Sequence, residues 1–519
     1  MEQFLSPRPR TPWGWTAALG AVAVLAAGCS SQTTPPPAAS ASHPGGSLVI
    51  GVTSDPDTLF PWKATQFQAV HLLENIYGTL TEFDKDLNVV PGLAKSWDAS
   101  ADGKKLTLHL RTGVTFDDGS AFDSTDVKFS LDAIKTEATA AVARSSLGLV
   151  TSVDAPDAAT VVLNLSGPDA ALPANLASVN MAMLSSTDTE AKLNVTPNGT
   201  GAYAFDTRKP SQSITLVGNK KYWGETPSLA SIEFRVIPDE ASIVSALQAG
   251  NVQFAVFDDP LVAKTAEGSN VTIAKTPQLT YHALQLNARR GTLTDLNVRL
   301  AIQCSVDRQQ VLDTAALSEG EVTGPITSPA FKSDPSARPC PKRDIAKAKD
   351  YLSKAGQSAG ITIDTIVSQG EYATSVNEAQ NLVSQLADAG ITLKLEVLES
   401  GAYVKRWIAA DFDAAVALNG GRPDPDGMYG RYFTSTGNLN KVAGYSSPAL
   451  DALFAQGKST TDATARKAIY QKVSDELENN AAWIWMFTSY TYTATSSAVH
   501  GFTPMANGSL QYLRTTTVG

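Results

Sequence analysis

The chain has 519 residues and a formal net charge of −10, a length that predicts two or more lobes rather than one core. An acidic chain without a basic stripe argues against nucleic acid as a partner. After an apolar run near residues 13–27, no stretch is long and apolar enough to cross a bilayer, which excludes a protein with several membrane spans.

The first predicted element is an export signal. Two arginines precede the apolar run, and this order is typical of secretory signals. The residues Leu-Ala-Ala-Gly-Cys that end at Cys29 resemble the bacterial lipobox, in which the cysteine is acylated and becomes the first mature residue. One departure is Ala26, which stands where the leucine usually does. We expect a signal peptide at residues 1–28 and a lipid anchor at Cys29; a plain secretory signal is the alternative.

A tether and a first block of alternating elements follow. Residues 29–46 are rich in Ser, Thr and Pro without apolar periodicity, which predicts a disordered tether. GSLVIGV, KLTLHLRTGVTF, TVVLNLSG and SITLVGN are typical of strands, whereas FQAVHLLENIYGTLTEF and ASIVSALQAG are typical of helices. A further helix begins near Thr125 behind a polar cap. The first block is therefore predicted to mix strands and helices.

The second block, from about residue 283 to 486, has a β-α-β rhythm that predicts an α/β lobe. YHALQLN, TIDTIVS, ITLKLEVL and FDAAVALNGG are expected strands, and VRLAIQCSVDRQQVLDTAAL is expected to form one long helix. The aromatic segment WIWMFTSYTYTATSSAVHGF would return the chain to the first lobe. Cys304 and Cys340 are an even pair in an exported chain, so a disulfide is the expectation and two buried thiols are the alternative.

Several short motifs occur in an order and spacing that resemble one family. They are Gly92-Leu93-Ala94, Ser96-Trp97, Gly113-Val114-x-Phe116, Asp126-Val127-x-Phe129-Ser130, Gly199-Thr200-Gly201-x-Tyr203, Tyr222-Trp223-Gly224, Val298-Arg299-x-Ala301-Ile302, Asp424-Pro425-Asp426 and Gly444-Tyr445. With them the chain resembles the solute-binding lipoproteins of ABC importers, in the peptide/nickel-type (family 5) cluster of dipeptide- and oligopeptide-binding proteins. The resemblance covers residues 46–510.

The resemblance implies an α/β fold of two lobes, like that of periplasmic binding proteins, joined by two hinge strands and closing on a ligand. Lobe 1 would comprise residues 47–282 and 487–519, with an extra subdomain at about 84–200, and lobe 2 residues 283–486. The expected crossings are Tyr281–Asn287 and Trp483–Tyr490. The implied function is capture of a peptide or another polar solute outside the cytoplasm for an ABC permease, by a monomer anchored to the outer face of the bacterial cell membrane.

The charge anchors that hold a dipeptide in relatives are absent here. The aspartate that pairs with the peptide's amino group stands three positions before the Asp-Pro-Asp motif, and Gly421 holds that place. The carboxylate-binding arginine corresponds to Val376 or Asn377. Asp424 is the alternative partner for an ammonium group. A longer peptide, an oligosaccharide, an opine-like compound or a metal–chelator complex therefore stay open as ligands.

Candidate ligand contacts lie in three stretches. The loop after a buried strand contributes Asn419, Gly420, Gly421, Arg422 and Asp424, because open α/β sheets place ligand-binding loops at strand ends. The segment GAYVKRWIAADFD contributes the aromatic rings of Tyr403 and Trp407, for which core packing is the alternative. The loop SDPDTLFPW contributes Asp55 and Thr58.

No cofactor, bare metal site or catalytic motif is expected. The five histidines are scattered along the chain, which argues against a bare nickel site. The sequence contains no GxSxG, HExxH or CxxC motif. A secreted hydrolase with paired carboxylates is the remote alternative, with Asp424 and Asp426 as its candidate pair.

Overall fold

The structure is a computed structural model that describes residues 46–369 and 374–519. The expected signal peptide, the tether before residue 46 and Cys29 lie outside these residues. The strands are β1 (Ser47–Val52), β2 (Thr81–Phe83), β3 (Val89–Pro91), β4 (Ala94–Ala99), β5 (Lys105–Leu110), β6 (Val150–Asp157), β7 (Thr160–Leu165), β8 (Tyr203–Lys209), β9 (Ser213–Gly218), β10 (Ser231–Val236), β11 (Phe254–Phe257), β12 (Val271–Pro277), β13 (Tyr281–Leu286), β14 (Gly320–Val322), β15 (Ile361–Gln369), β16 (Ile391–Glu399), β17 (Ala414–Asn419), β18 (Trp483–Ser496), β19 (Val499–His500) and β20 (Thr517–Val518).

The α-helices cover the faces of these sheets. They are α1 (Phe67–Ile76), α2 (Ser124–Lys135), α3 (Leu172–Asn175), α4 (Glu190–Leu193), α5 (Glu240–Gln248), α6 (Pro260–Ala266), α7 (Leu296–Ser305), α8 (Arg308–Ala315), α9 (Ile345–Lys354), α10 (Ser375–Ala387), α11 (Ser400–Ala409), α12 (Arg431–Phe433), α13 (Asn440–Ala443), α14 (Pro448–Ser459) and α15 (Ala463–Asn479).

One strand belongs to both halves of the large sheet. The order of that sheet is β16-β15-β17-β13-β18-β11-β1-β10-β9-β8, with β12 and β14 also paired to β18. The first part of β18 pairs with β13 and β14, and from Tyr490 onward it pairs with β12 and then β11. We call β13–β17 with the first part of β18 the lobe 2 sheet, and β1 with β8–β12 and the rest of β18 the lobe 1 sheet. With these definitions, β18 runs from the lobe 2 sheet into the lobe 1 sheet.

The two connections between the sheets lie at Pro277–Tyr281 and at Ser489–Tyr490, because β14 pairs with β18 as far as Ser489. The first lies earlier in the chain than the expected crossing at Tyr281–Asn287, which was wrong. The reason is that β13 pairs along its whole length with β17, a lobe 2 strand, so that the crossing is complete when β13 begins. Both connections are short.

A four-stranded antiparallel sheet, β4-β5-β7-β6, lies inside the range expected for the extra subdomain. Helix α2 packs against β6 and β7. The buried side chains of this sheet, such as Leu108 and Leu163, belong to one hydrophobic cluster with Leu48 and Ile50 of β1. The small sheet therefore shares its core with lobe 1.

The expected long helix of lobe 2 is two helices, α7 and α8, so the prediction of one helix was wrong. The side chain of Asp307 accepts a hydrogen bond from the Gln310 backbone at 3.0 Å and caps α8. Arg308 is buried and donates from Nε to the carbonyl of Trp485 at 2.9 Å. The helix is interrupted between Ser305 and Arg308 because Arg308 is anchored to β18.

Candidate functional site

The candidate site lies where the parallel strands of both lobes end beside the hinge. In lobe 1, β1 is parallel to β10 and β11, and Phe257 at the end of β11 is opposite Tyr492 of β18. In lobe 2, β15 and β17 are parallel, and Asn419 at the end of β17 is opposite Tyr281, which follows the first connection. Ligand-binding loops of open α/β sheets follow the carboxyl ends of their strands.

Asn419 ends β17 inside a buried chain of polar groups. Gln285 donates from Nε2 to the Asn419 side-chain oxygen at 3.1 Å and accepts the indole N–H of Trp407 at 2.7 Å. These bonds fix the orientation of the Asn419 amide, whose Nδ2 is buried and has no hydrogen-bond acceptor among the described residues. Asn419 is 5% exposed, so this donor is one that a ligand would satisfy.

Gly420 and Gly421 have different surroundings. A Cβ atom at Gly421 would lie 1.7 Å from the carbonyl oxygen of Leu279, in the first connection between the lobes. The same oxygen accepts a hydrogen bond from the Thr327 hydroxyl at 2.5 Å, which holds it in place. A Cβ atom at Gly420 would meet no atom within 4 Å. Gly421 therefore serves a close approach of two backbones, and no side chain fits in its place.

The carboxylate of Asp424 is already bound. It is 5% exposed and forms two hydrogen bonds with Arg466 of α15, at 2.5 and 2.9 Å. The Asp426 backbone N–H donates to the same carboxylate at 2.9 Å, just before a single π-helical turn at Asp426–Gly430. Asp424 therefore braces the loop, and its expected contact with a ligand or an ammonium group stays a prediction that this pairing does not favour. Arg466 follows 42 residues later, so the motif alone did not reveal this pair.

Both aromatic residues of the predicted pair, Tyr403 and Trp407, make contacts within the protein. The hydroxyl of Tyr403, on α11, donates to the carbonyl of Val416 at 2.9 Å and the side chain is buried in the core, which favours the alternative of core packing over a ligand contact. Trp407 is half-buried, with its ring 6.5 Å from that of Tyr432 in an edge-to-face arrangement. It holds Gln285 in position for Asn419.

Two arginines of the loop after β17 have no acidic partner among the described residues. Arg422 is exposed, and Arg431, which begins α12, is half-buried with an unpartnered, buried Nε. The Arg431 guanidinium lies 4.8 Å from the centre of the Tyr432 ring. Desolvation and the neighbouring charge of Arg431 lower the pKa of Arg422. Arg422 was predicted from its loop, whereas Arg431 was not singled out, because an arginine that follows the acids of the Asp-Pro-Asp motif carries no sequence signal of being unpaired.

Asp55 and Thr58 are bound within lobe 1. Asp55 accepts from Arg208 at 2.8 Å and from the Ser211 backbone at 3.2 Å, although its Oδ1 is buried without a partner. The Thr58 hydroxyl bonds to Asn194 at 2.8 Å. The Thr58 hydroxyl thus has a partner within lobe 1, whereas Asp55 keeps one carboxylate oxygen without a partner, and the expected ligand contact of each residue stays a prediction.

Other features of the described residues limit the chemistry of the site. No group of three or more His, Cys, Asp or Glu within residues 46–369 and 374–519 could hold a metal ion, and in that part of the chain no helix is long and apolar enough to cross a membrane. Two small cavities, one beside Asp55 and one beside Met505, are lined by lobe 1 residues, and neither borders the loop after β17.

Cys304 and Cys340 form a disulfide with Cα atoms 5.0 Å apart.

Comparison with known proteins gives related sequences and structures across nearly the whole chain. The glutathione-binding protein GsiB of Pectobacterium atrosepticum is 26% identical over 479 residues, which cover 88% of this chain and 91% of that protein. The periplasmic binding protein DppA of Helicobacter pylori, solved with the peptide STSA, is 25% identical with a TM-score of 0.68, covering 91% of this chain and 98% of that one. HbpA2 of Haemophilus parasuis, 22% identical, has a TM-score of 0.83 over 91% of this chain and all of its own.

The family itself follows from a match that covers more than half of the chain. Residues 88–440 match the family model of the bacterial extracellular solute-binding proteins, family 5. The two-lobe fold of the structural relatives and the shared strand β18 agree with that match. The chain belongs to the bacterial extracellular solute-binding proteins of family 5.

Proposed function

We propose that this protein captures a peptide or a peptide-sized polar solute between its two lobes, outside the cytoplasm, and delivers it to an ABC permease. It acts as a binding protein and not as an enzyme. Its relatives support this: GsiB is named for glutathione and DppA was solved with a tetrapeptide. Both ligands are small, polar and rich in amide groups.

The observation that carries the proposal is the pair of short connections at Pro277–Tyr281 and Ser489–Tyr490, beside which the parallel strands of both lobes end. A ligand that touches loops on both sides of this hinge interacts with both lobes only when they are closed. Such a ligand shifts the population toward the closed form by its difference in affinity for the two forms. The permease would then recognise the closed form.

We further propose that acyl chains on Cys29 hold the protein at the outer face of the cell membrane, with residues 29–46 as the tether, and that it works as a monomer. Multiple acyl chains keep a protein on a membrane durably. In a Cys29→Ala variant with the rest of the signal intact, the protein should move from the membrane fraction to the soluble fraction. Retention in the membrane fraction would contradict the anchor.

The experiment for the function has two readouts. Native mass spectrometry of the purified protein should show a bound small molecule that denaturation releases. A library of peptides, glutathione, oligosaccharides and opines should contain compounds that raise the melting temperature. At a hundredfold excess over Kd, such a compound should raise the free energy of unfolding by about 2.7 kcal/mol. An enzyme would consume such a compound, and product in the mixture would overturn the proposal, as would the absence of any stabilising solute.

A further inference from the structure

We propose that the solute is anchored by a carboxylate, which binds Arg422 and Arg431 at the end of β17, and that no carboxylate of the protein binds an ammonium group at Gly421 or Asp424. This inference rests on the proposed function and names the chemical class of the solute. It reverses the polarity expected from the dipeptide-binding mode, in which an aspartate near this loop holds the amino group.

The first argument is an excess of positive charge. Neither Arg422 nor Arg431 forms an ion pair with any described residue, although the two guanidinium groups are close enough for each charge to be felt by the other. Two neighbouring like charges without a counter-ion raise the free energy of the folded protein. An anion that binds both would remove that cost.

The second argument is an excess of hydrogen-bond donors. The Nε of Arg431 and the Nδ2 of Asn419 are buried, and neither has an acceptor among the described residues. Tyr281, which is opposite Asn419 in the β13–β17 ladder, also lies within electrostatic range of Arg431. A buried donor without an acceptor costs about 1–3 kcal/mol. A carboxylate accepts hydrogen bonds and donates none, so it suits this set of groups.

The third argument is that each acid of the loop's Asp-Pro-Asp motif already lies beside a cation of the protein. Asp424 is bound to Arg466 at 2.5 and 2.9 Å, and the Asp426 carboxylate lies 3.7 Å from the ammonium group of Lys458. The place of the missing ammonium-binding aspartate is closed, since a Cβ atom at Gly421 would overlap the Leu279 carbonyl. The loop therefore offers a ligand two cations that are unpaired among the described residues, whereas both carboxylates of its Asp-Pro-Asp motif lie beside a cation, and of their oxygens only the Oδ1 of Asp426 is buried without a hydrogen-bond partner.

Stacking holds one of the cations in position. The Arg431 guanidinium lies over the Tyr432 ring, and Tyr432 in turn packs edge to face against Trp483 of β18 at 5.3 Å between ring centres. A planar guanidinium held on an aromatic ring keeps its edge free for a bidentate bond to a carboxylate. Arg431 is thus oriented before a ligand arrives.

The test uses a pool of tri- to pentapeptides without charged side chains, prepared in four forms: unmodified, N-acetylated, C-amidated and blocked at both ends. Glutathione and its amide derivative are tested as a further pair of probes. We expect the N-acetylated and unmodified pools to raise the melting temperature of the wild type equally, and both amidated pools to have no effect. Equal stabilisation by free-acid and amidated forms would overturn the carboxylate anchor and leave the proposed function standing.

The matching variants are Arg422→Gln and Arg431→Gln, with Arg144→Gln as the control, because Arg144 is an exposed residue paired with Glu137 in the subdomain. Loss of a charge-assisted bond should weaken the Kd for the stabilising probe roughly tenfold or more in each test variant. The control should keep the wild-type Kd. Without ligand, the melting temperature of the Arg422→Gln variant should not fall. The substitution removes the repulsion between the Arg422 and Arg431 guanidinium groups, and Arg422 is exposed.

Two outcomes separate the inference from the function on which it rests. Wild-type Kd in both Arg422→Gln and Arg431→Gln would overturn the inference, and the stabilising probe would still support solute capture. If the Arg431→Gln variant does not fold, the Kd of the Arg422→Gln variant for the stabilising probe decides whether the inference stands. If no probe and no library compound stabilises the wild type, the proposed function itself is contradicted.

Discussion

Gly420 and Gly421 are neighbours in the chain, yet a side chain would meet open space at one and the Leu279 carbonyl at the other. The contrast shows how the loop after β17 is fixed. Its path is set by backbone contact with the first interlobe connection and by the Asp424–Arg466 pair. The residues of this loop that we propose to bind a solute are Asn419, Arg422 and Arg431.

Gly421→Ala and Gly420→Ala form a matched pair. We expect Gly421→Ala to lower the free energy of unfolding by about 2 kcal/mol or more, because a backbone carbonyl cannot rotate away as a side chain can. Gly420→Ala should stay within about 1 kcal/mol of the wild type. Urea denaturation of both variants measures this difference, and equal effects would contradict the close approach.

Asp426 gives the loop a pH dependence of known sign. Burial, with the charges of Asp424 and Asp169 added, raises the pKa of its carboxyl from 3.8 to about 6 in spite of Lys458. Because the folded pKa is above the unfolded one, ionised Asp426 destabilises the protein above about pH 6, and this cost fades as the pH falls toward 4.

The variant Asp426→Asn should therefore be more stable than the wild type at pH 7.5, by about 1–3 kcal/mol, and equal to it near pH 4. Thermal melts at a series of pH values measure the difference. Asp206→Asn, at an exposed position in β8, should show no such trend. A difference of constant size from pH 4 to 7.5 would mean that Asp426 is not destabilised by burial.

Residue-level predictions from the sequence rest on the chain neighbourhood alone. The loop after β17 was chosen as a candidate because a buried strand ends in glycine- and proline-rich sequence, and its contact with a ligand stays a prediction. The roles of its members depend on distant partners, such as Arg466 for Asp424 and Gln285 for Trp407. Tyr403 shows the same limit, since an aromatic residue on a helix has the same pattern in a core and in a cleft.

At the scale of elements, the strands of lobe 2 were predictable because their alternation and apolar runs reflect burial on one or both faces. The break between α7 and α8 was not, because both helices carry apolar residues with continuous spacing. The break depends on Asp307 as a cap and on the bond from Arg308 to β18, and a helix pattern contains neither of these.

The Cys304–Cys340 disulfide joins α7 to the segment before α9 across a sequence separation of 36 residues. Its loss in a Cys304→Ala/Cys340→Ala variant should lower the free energy of unfolding by about 3–4 kcal/mol, because the unfolded chain regains the entropy of the open loop. Reductant should destabilise the wild type and leave the variant unchanged. Two titratable thiols in the unfolded, unreduced wild type would show that the bond is absent.

At the scale of the molecule, side chains bridge the lobes close to the hinge. Glu319, just before β14, forms an ion pair with Lys275 of β12 at 2.7 Å and accepts from the Tyr492 hydroxyl at 2.8 Å. Between the subdomain and α14 of lobe 2, the Ala170 backbone N–H donates to the Lys458 carbonyl at 2.8 Å. These bonds favour the lobe arrangement seen here.

Replacing Glu319 tests that arrangement, and Glu321 provides the control because it pairs with Lys332 inside lobe 2 at 2.9 Å. Glu319→Gln should weaken the interlobe contact by about 1 kcal/mol, which changes the ratio of closed to open forms roughly fivefold. Small-angle X-ray scattering of the ligand-free protein should then give a larger radius of gyration than for Glu321→Gln. Identical radii would show that the Lys275–Glu319 pair does not restrain the lobes.

Strand β18 also determines the order in which the protein can be completed. The chain is synthesised from its amino end. Strands β11 and β13 each pair on one side with β18, which consists of residues 483–496 and is therefore synthesised late. Until then each has an open edge, the kind of surface on which strands of other chains add. Neither sheet is finished before the last tenth of the polypeptide emerges, so the vulnerable interval spans most of its export.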